Sequence, residues 1–233
     1  MPSGRWRLTT FLLVLVAVFL ALGTWQVRRL FWKLDLIARV EARIHAAPVP
    51  APARDAWDGV NARDDEYRRV TATGFFEHDR SVLVQAVTQL GAGFWVVTPL
   101  RLDDGSMILV NRGFVPAGKR DPAARMASEI AAGPVTVTGL LRITEPGGAF
   151  LRSNDPANGR WYSRDVAAIA AAEGLSDVAP YFIDADATPN PGGLPVGGLT
   201  VVAFRNSHLV YALTWYALAA MSAYGVYRVR RLG

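Results

Sequence analysis

Two long apolar stretches stand near the ends of the chain, and apolar and polar residues are mixed between them. The first covers residues 8–25 and the second covers residues 209–227, and neither contains a charged residue. At a rise of about 1.5 Å per residue, the first stretch reaches about 27 Å as a helix, close to the thickness of the hydrocarbon core of a bilayer. The pattern predicts two transmembrane helices that flank one domain.

The first stretch has an alternative interpretation as a cleaved signal peptide. Arg5 and Arg7 precede it, and residues 21–23 form a passable cleavage site. However, the stretch is long for a signal peptide, Trp25 is typical of a membrane interface, and a helical pattern continues through residues 30–37. These features favour an uncleaved span.

Basic residues next to the two stretches predict their orientation. The residues that flank the spans on the side of the chain ends are Arg5, Arg7, Arg228, Arg230 and Arg231. The positive-inside rule therefore predicts two cytoplasmic tails and an exported domain. Arg28, Arg29 and Lys33 oppose this orientation, but long loops cross the membrane largely regardless of their charge. The start also lacks the Arg- and Ser-rich character of a mitochondrial import signal, which favours a bacterial inner membrane.

The segment between the spans has the pattern of a β-rich domain. Short runs of β-branched and aromatic residues predict strands over residues 68–76, 81–87, 94–101, 107–111, 135–142 and 181–184. Helices are predicted over residues 122–131, capped by Asp121, and over residues 166–173, capped by Asp165 and ended by Gly174. The expected fold class is two transmembrane helices flanking a mainly antiparallel, barrel-like α+β extracytoplasmic domain with short helices.

These patterns divide the chain into six parts. A helical pattern leads out of the first span into a proline-rich segment that should be extended and stiff. The expected parts are a cytoplasmic tail (1–7), a first transmembrane helix (8–27), an amphipathic stalk with the proline-rich linker (28–53), the α+β domain (54–206), a second transmembrane helix (207–227) and a second cytoplasmic tail (228–233).

Composition excludes several functions. The chain contains no cysteine, which rules out disulfides, thiolate metal sites and a copper chaperone that works through a cysteine pair. The formal net charge of +5 raises the question of nucleic acid binding, but the arginines gather beside the apolar ends, where membrane topology accounts for them. We therefore expect a lipid bilayer and no nucleic acid among the partners.

A catalytic site is not recognisable in the sequence. Neither a nucleophile elbow, nor a zinc-binding histidine pair, nor a glycine-rich phosphate loop occurs. The acidic run of residues 64–66 is interpreted as a solvated turn, and Arg142 and Glu145 as surface charges. The chain is therefore not expected to be an enzyme, and the opposing hypothesis of an exported enzyme lacks a site.

His208 is the strongest candidate for chemistry because it stands at the start of the second span. Tyr211 and Trp215 follow three and seven residues later, over the same helix face. An imidazole with aromatic neighbours suits haem iron, although an interfacial histidine that reaches for water fits the same spacing. Small residues in this span, among them Ala212 and Ala219, permit close approach of the first span, a second copy or another membrane protein.

Several motifs resemble those of one family. Residues 23–33 (GTWQVRRLFWK) and 206–216 (NSHLVYALTWY) are similar to the two span signatures of the Surfeit-locus family of cytochrome c oxidase assembly factors. Further similar segments, in the same order, are residues 67–75, 93–100, 110–116, 139–142 and 161–165. Ser207 and Phe114 depart from the family pattern, where Asn and Trp are usual.

The resemblance implies a function in the maturation of haem–copper oxidases, with the oxidase catalytic subunit as partner and without enzymatic activity. It implies that haem a binds through His208, near Tyr211 and Trp215, and makes the machinery of haem a synthesis a candidate partner. Arg28 or Arg29 could pair with the haem propionates, or could serve only as interfacial anchors. The alternative function is a scaffold without cofactor that stabilises the oxidase subunit during assembly.

Overall fold

The chain is described here by a computed structural model that covers residues 3–129, 133–149, 151–202 and 204–231. It forms two compact units, which we call the helix unit (Met1–Arg39 with Val202–Gly233) and the domain unit (Val40–Val201). The α-helices of the described residues are α1 (Ser3–His45), α2 (Met126–Glu129), α3 (Val166–Ala172) and α4 (His208–Arg231). The strands are β1 (Val49–Pro50), β2 (Arg69–Phe76), β3 (Val82–Thr88), β4 (Gly91–Leu102), β5 (Met107–Pro116), β6 (Val135–Ile143), β7 (Gly148–Ala149), β8 (Arg152–Ser153) and β9 (Val178–Ala185).

The helix unit contains two helices that are long and apolar enough to cross a membrane, as the sequence predicts. α1 continues without interruption from the first apolar stretch into the predicted stalk and ends at His45. The small residues of α4 face α1, because Ala212, Ala219 and Ser222 are buried and a side chain added at Gly225 would contact Leu12. The sequence left three candidate partners open for these small residues: the first span, a second copy or another membrane protein. In the structure they pack against the first span.

The domain unit is built around a closed barrel of five strands. The seven-stranded sheet has the order β1-β2-β6-β9-β5-β4-β3, and an additional pairing of β2 with β4 closes the five inner strands into a ring. All neighbours in the ring are antiparallel except β5 and β9. The expected fold class, a β-rich barrel-like domain flanked by two membrane helices, is therefore confirmed.

Glycine permits the closure of the ring. A Cβ atom at Gly74 would lie 2.3 Å from the carbonyl oxygen of Arg101, at the point where β2 leaves β6 and pairs with β4. A Cβ atom at Gly139 would lie 2.2 Å from the carbonyl oxygen of Asp184. Any larger residue at these positions would separate the strands, so both glycines are required by close backbone approach.

The hydrophobic core has two parts, one on each face of the sheet. The alternating residues of β5 divide between them, because Ile108 and Val110 belong to the first cluster and Leu109 to the second. α3 covers the second cluster with Val166 and Ile169. Asp165 caps this helix by accepting a hydrogen bond from the amide of Ala168, as predicted.

Arg142 is largely buried, which corrects its interpretation as a surface charge, and the partly exposed Glu145 belongs to the same network. Arg142 donates to the buried carboxylate of Asp184 at 2.9 Å, and Arg164 donates to the other oxygen of the same carboxylate at 2.9 Å. Glu145 accepts from Arg164 at 2.6 Å. Asn111 also donates to Asp184, at 2.7 Å. The charges lie on three separate segments, residues 142–145, Arg164 and Asp184, so local sequence could not show that they meet.

Other segments also differ from the sequence-based predictions. Asp65 of the acidic run is only 8% exposed and accepts a hydrogen bond from Arg68 at 2.6 Å. The turn is therefore partly buried and not fully solvated, whereas the sequence predicted a solvated turn. Pro50 is extended, as predicted for the proline-rich segment, but it also pairs with β2 as part of β1. The helix predicted over residues 122–131 is a 3-10 turn, Pro122–Arg125, followed by the short α2, and its predicted end lies outside the described residues. β5 continues to Pro116, five residues beyond its predicted end at 111.

We expect replacement of Asp184 by alanine to lower the free energy of unfolding by about 3–5 kcal/mol, because two largely buried guanidinium groups would lose their shared, buried carboxylate. Burial lowers the pKa of Arg164, but Asp184 and Glu145 outweigh it and raise that pKa overall. Chemical denaturation of the protein in detergent, followed by tryptophan fluorescence, measures the change. Asp103→Ala, in an exposed turn, is the control and should change the free energy by less than about 0.5 kcal/mol. Equal midpoints for the two variants would contradict this account of the network.

Candidate functional site

The candidate site lies in the helix unit, where α4 begins at His208. Asn206 accepts a hydrogen bond from the backbone amide of His208 at 3.4 Å, which helps to satisfy the free amides at the start of the helix. The His208 side chain is half-buried. Its Nδ1 atom lies 2.8 Å from Oε1 of Gln26 on α1, so the imidazole is tied to the other helix.

The contact with Gln26 selects one form of the neutral imidazole. An amide oxygen can only accept a hydrogen bond, so Nδ1 of His208 carries the proton and donates to it. Nε2 then keeps its lone pair, which is the form of histidine that binds a metal ion. A second residue that holds the other ring nitrogen is the usual arrangement around metal-binding histidines.

Close packing of α1 against α4 fixes the distance between these two side chains. A Cβ atom at Gly23 would lie 2.7 Å from the ring of Tyr216, so only glycine permits this approach without a shift of the ring. The ring of Trp215 stacks on that of Phe19 with 5.7 Å between centroids. Contacts at the far end of the pair, such as Arg5 to the carbonyl oxygen of Val229 at 3.0 Å, show that the helices are antiparallel along their length.

The structure brings together only some of the residues that the sequence proposed for this site. His208 and Trp215 both lie on the face of α4 that meets α1, whereas Tyr211 is 54% exposed. The buried positions of α4 recur as Ala212, Ala219, Ser222 and Val226. Tyr211 lies beside this stripe rather than on it, because a spacing of three residues falls short of a full helical turn.

Arg29 contacts an aromatic ring of its own helix. Its guanidinium lies 3.8 Å from the centre of the Trp32 ring, one turn along the same helix. Lys33 extends toward the ring of Phe204 at 4.7 Å, so a second cation of α1 meets an aromatic ring in the segment before α4. Such pairs of basic and aromatic residues are typical of the membrane interface.

The donor set at this end of the helix pair limits the metals it could hold. Among the described residues, no group of three or more His, Asp or Glu side chains is placed to share one ion. A structural zinc or calcium site needs several protein ligands, but haem brings four nitrogens of its own and needs only axial ligands. One imidazole with a free Nε2 therefore fits haem iron better than a bare ion.

The sequence-based reasoning missed the role of Gln26. Gln26 belongs to the motif of residues 23–33, but a linear motif does not identify a hydrogen-bond partner on the other span. One signal was present: an uncharged amide next to the end of an apolar span must find a hydrogen-bond partner.

These features define a class: a barrel domain in a chain with two apolar helices that pair and carry a histidine at the start of the second. The chain belongs to the SURF1 family, which is known for cytochrome oxidase assembly factors, and the family model matches residues 13–220. It is 39% identical to "Surfeit locus protein 1" of Rattus norvegicus, over 95% of this chain and 76% of the relative. It is 40% identical to "Surfeit locus protein 1" of Homo sapiens, over 91% of this chain and 74% of the relative, and 40% identical to a "SURF1-like protein" of Monosiga brevicollis, over 91% and 83%.

The helix packing is testable because the chain contains no natural cysteine. A Cβ atom at Gly225 would lie 3.3 Å from Cδ1 of Leu12, so the pair Leu12→Cys and Gly225→Cys should form a disulfide on mild oxidation in membranes. Mass spectrometry of the linked peptides gives the yield. The control pair uses Leu13→Cys, at an exposed position of α1, with Gly225→Cys, and should link several-fold less. Equal yields from both pairs would rule out the packing described here.

Proposed function

We propose that the chain is a non-catalytic assembly factor for haem–copper cytochrome c oxidase, which holds haem a through His208 and assists its insertion into the catalytic subunit. Membership of the SURF1 family supports the assembly function. The observation that carries the haem proposal is the 2.8 Å contact between His208 Nδ1 and Gln26, which leaves Nε2 as the nitrogen that would hold the haem iron.

Each of the proposed residues would make a different contribution to haem binding. When bound, the haem would supply an iron atom that accepts one more nitrogen ligand. His208 provides that nitrogen, and Gln26 keeps the imidazole in the required tautomer and orientation. Tyr211 contributes an exposed aromatic ring one turn along α4, against which a flat apolar group could pack.

Arg29 is included as a candidate partner for a haem propionate. A guanidinium pairs with carboxylates through charge-assisted hydrogen bonds, and Arg29 is an exposed cation one turn beyond Gln26 on α1. To bind a propionate, the Arg29 guanidinium would have to leave the Trp32 ring or keep both contacts at once.

Weak retention suits a carrier better than tight binding. A single protein ligand in an open site holds haem a less firmly than two ligands in a closed pocket, so the oxidase subunit can take the haem over. The machinery of haem a synthesis is the proposed source of the haem, and the oxidase catalytic subunit is its destination.

The proposed topology places both chain ends in the cytoplasm and the domain unit outside it, in a bacterial inner membrane. The basic residues at the end of α4 support this orientation, and so does Arg5, which lies against Val229 at the same end of the helix pair.

The haem proposal is tested on protein purified from cells that make haem a. We expect His208→Ala to lose most of the haem a that the unchanged protein carries, and Gln26→Leu to lower haem affinity about 10- to 100-fold, because the imidazole is no longer oriented. The optical spectrum and the haem content per chain give the result. His45→Ala is the matched control, since His45 is exposed at the end of α1, and should leave the spectrum unchanged.

Two outcomes separate haem binding from oxidase assembly. Equal haem content in His208→Ala and in the unchanged protein would exclude His208 as the ligand. If the oxidase catalytic subunit still co-purifies with that variant and still matures, the chain acts as a scaffold without cofactor. Loss of mature oxidase on deletion of the chain is expected under both hypotheses, and its absence would contradict the assembly function.

A further inference from the structure

Exposed apolar side chains gather around the tip of the hairpin formed by β3 and β4. Val87 is 85% exposed and Leu90 is 51% exposed, on either side of the point where Thr88 pairs with Gly91 and closes the hairpin. Val87 lines a surface cavity together with Val201, which is 80% exposed and lies in the segment after β9. We call Val87, Leu90 and Val201 the apolar tip.

The two segments that meet at the apolar tip are uncharged over long stretches. Residues 81–100 include all of β3 and most of β4, residues 187–204 lead from β9 toward α4, and neither stretch contains Asp, Glu, Lys or Arg. The charged residues that line the cavity beside Val201 are largely buried and pair with one another; they are Arg142, Arg164 and Asp184. Outer strands that face water usually carry charges against unwanted association. An uncharged outer hairpin with an apolar tip therefore indicates a surface that is covered.

The apolar tip lies where the chain enters and leaves the domain unit. Thr200 lines the cavity beside Val87, and it also lines a second cavity with Ile44, next to the last residue of α1. Val201 stands seven residues before His208, where α4 begins. Seven residues of fully extended chain span at most about 25 Å. The covalent chain therefore keeps the apolar tip within reach of the end of a membrane helix.

The far end of β4 has the opposite character. The strand ends at Leu102, and the turn that follows exposes the carboxylates of Asp103 and Asp104. At about 3.3 Å per residue, the strand separates its two ends by roughly 35–40 Å. One strand thus leads from an uncharged end, close to the exit toward α4, to an acidic end. A bilayer accepts apolar side chains and strongly disfavours charged ones, so only the first end suits contact with lipid.

The backbone of the hairpin is also suited to such contact. A segment can enter the edge of a bilayer only if most of its polar groups already have partners. Residues 82–88 pair without interruption with residues 91–97, and the amide of Leu90 donates to Oγ1 of Thr88 at 3.1 Å. Trp95 lines the same cavity as Val87, and tryptophan is enriched at membrane interfaces. Polar groups that remain at the turn would face the hydrated headgroups.

We propose that the apolar tip enters the headgroup region of a phospholipid bilayer and attaches the domain unit to the membrane surface. The continuity of Val201 with the segment that leads into α4 favours lipid over a protein as the occupant. The proposal goes beyond the function proposed above, because it requires neither haem binding nor a particular side of the membrane for the domain unit.

Single cysteines test the proposal directly, since the chain has no natural cysteine. The full chain with Leu90→Cys or with the control Asp103→Cys is labelled with the fluorophore NBD and placed in phospholipid nanodiscs. Nitroxide-labelled phospholipids quench a probe in lipid, and iodide quenches a probe in water. We expect lipid quenching at least about threefold stronger at position 90 than at position 103, and the reverse order for iodide, because only the apolar tip is stable in lipid.

Equal lipid quenching at the two positions would overturn the proposal. So would a probe at position 90 that is shielded from both quenchers, because a protein surface, such as a second copy of the chain, would then cover the apolar tip.

A second pair of variants changes the apolar tip itself and keeps the probe elsewhere. With the probe at Val201→Cys, Val87→Glu should reduce lipid quenching at least about twofold, because a carboxylate is costly in lipid, whereas Val87→Thr should largely retain it. Both positions are exposed, so little packing is lost, and melting curves check that each variant folds. Unchanged lipid quenching in a folded Val87→Glu protein would contradict the proposal. If that variant does not fold, the comparison of positions 90 and 103 decides.

Discussion

The carboxylate of Asp184 is the group on which the domain depends. It is 2% exposed and accepts hydrogen bonds from Asn111 on β5, Arg142 on β6, Arg164 and Thr200. A buried carboxylate without these donors would be costly, and so would two largely buried guanidinium groups without the carboxylate. The three charges are therefore stable only together, in the register that the closed barrel provides. Because Thr200 belongs to the same network, the segment that leads out of the domain is held by the same carboxylate that holds the strands.

In the helix unit the corresponding constraint is the close approach of two apolar helices. Lipid offers no hydrophobic driving force for their association, so the contact depends on small residues and on polar contacts between the helices. Gly23 supplies the closest approach, and Gln26 follows one turn later on the same face, where it meets His208. The orientation of the imidazole is thus a consequence of packing one turn away. A change at Gly23 would alter the candidate site although glycine has no chemistry of its own.

The sequence predicts those features that repeat locally. The strand predicted over residues 135–142, the apolar spans and the Asp165 cap each follow from neighbouring residues, and the structure confirms them. Features that depend on distant residues could not be predicted in this way. The ring closure of β2 with β4 and the bulge at Arg112 depend on register, and the partners of Arg142 lie on other segments. Tyr211 shows the limit within a single helix, since its spacing from His208 is close to one turn but leaves it outside the buried stripe.

The choice of an amide as the partner of His208 bears on how a haem carrier would work. A carboxylate in the place of Gln26 would make the imidazole a stronger donor, but it would also bring a charge to the end of a membrane helix, where charges are costly. A neutral amide orients the ring without adding that charge. It also strengthens the bond from the imidazole to iron less than a carboxylate would. Orientation without strong retention is what transfer requires, because the receiving subunit must compete successfully for the haem.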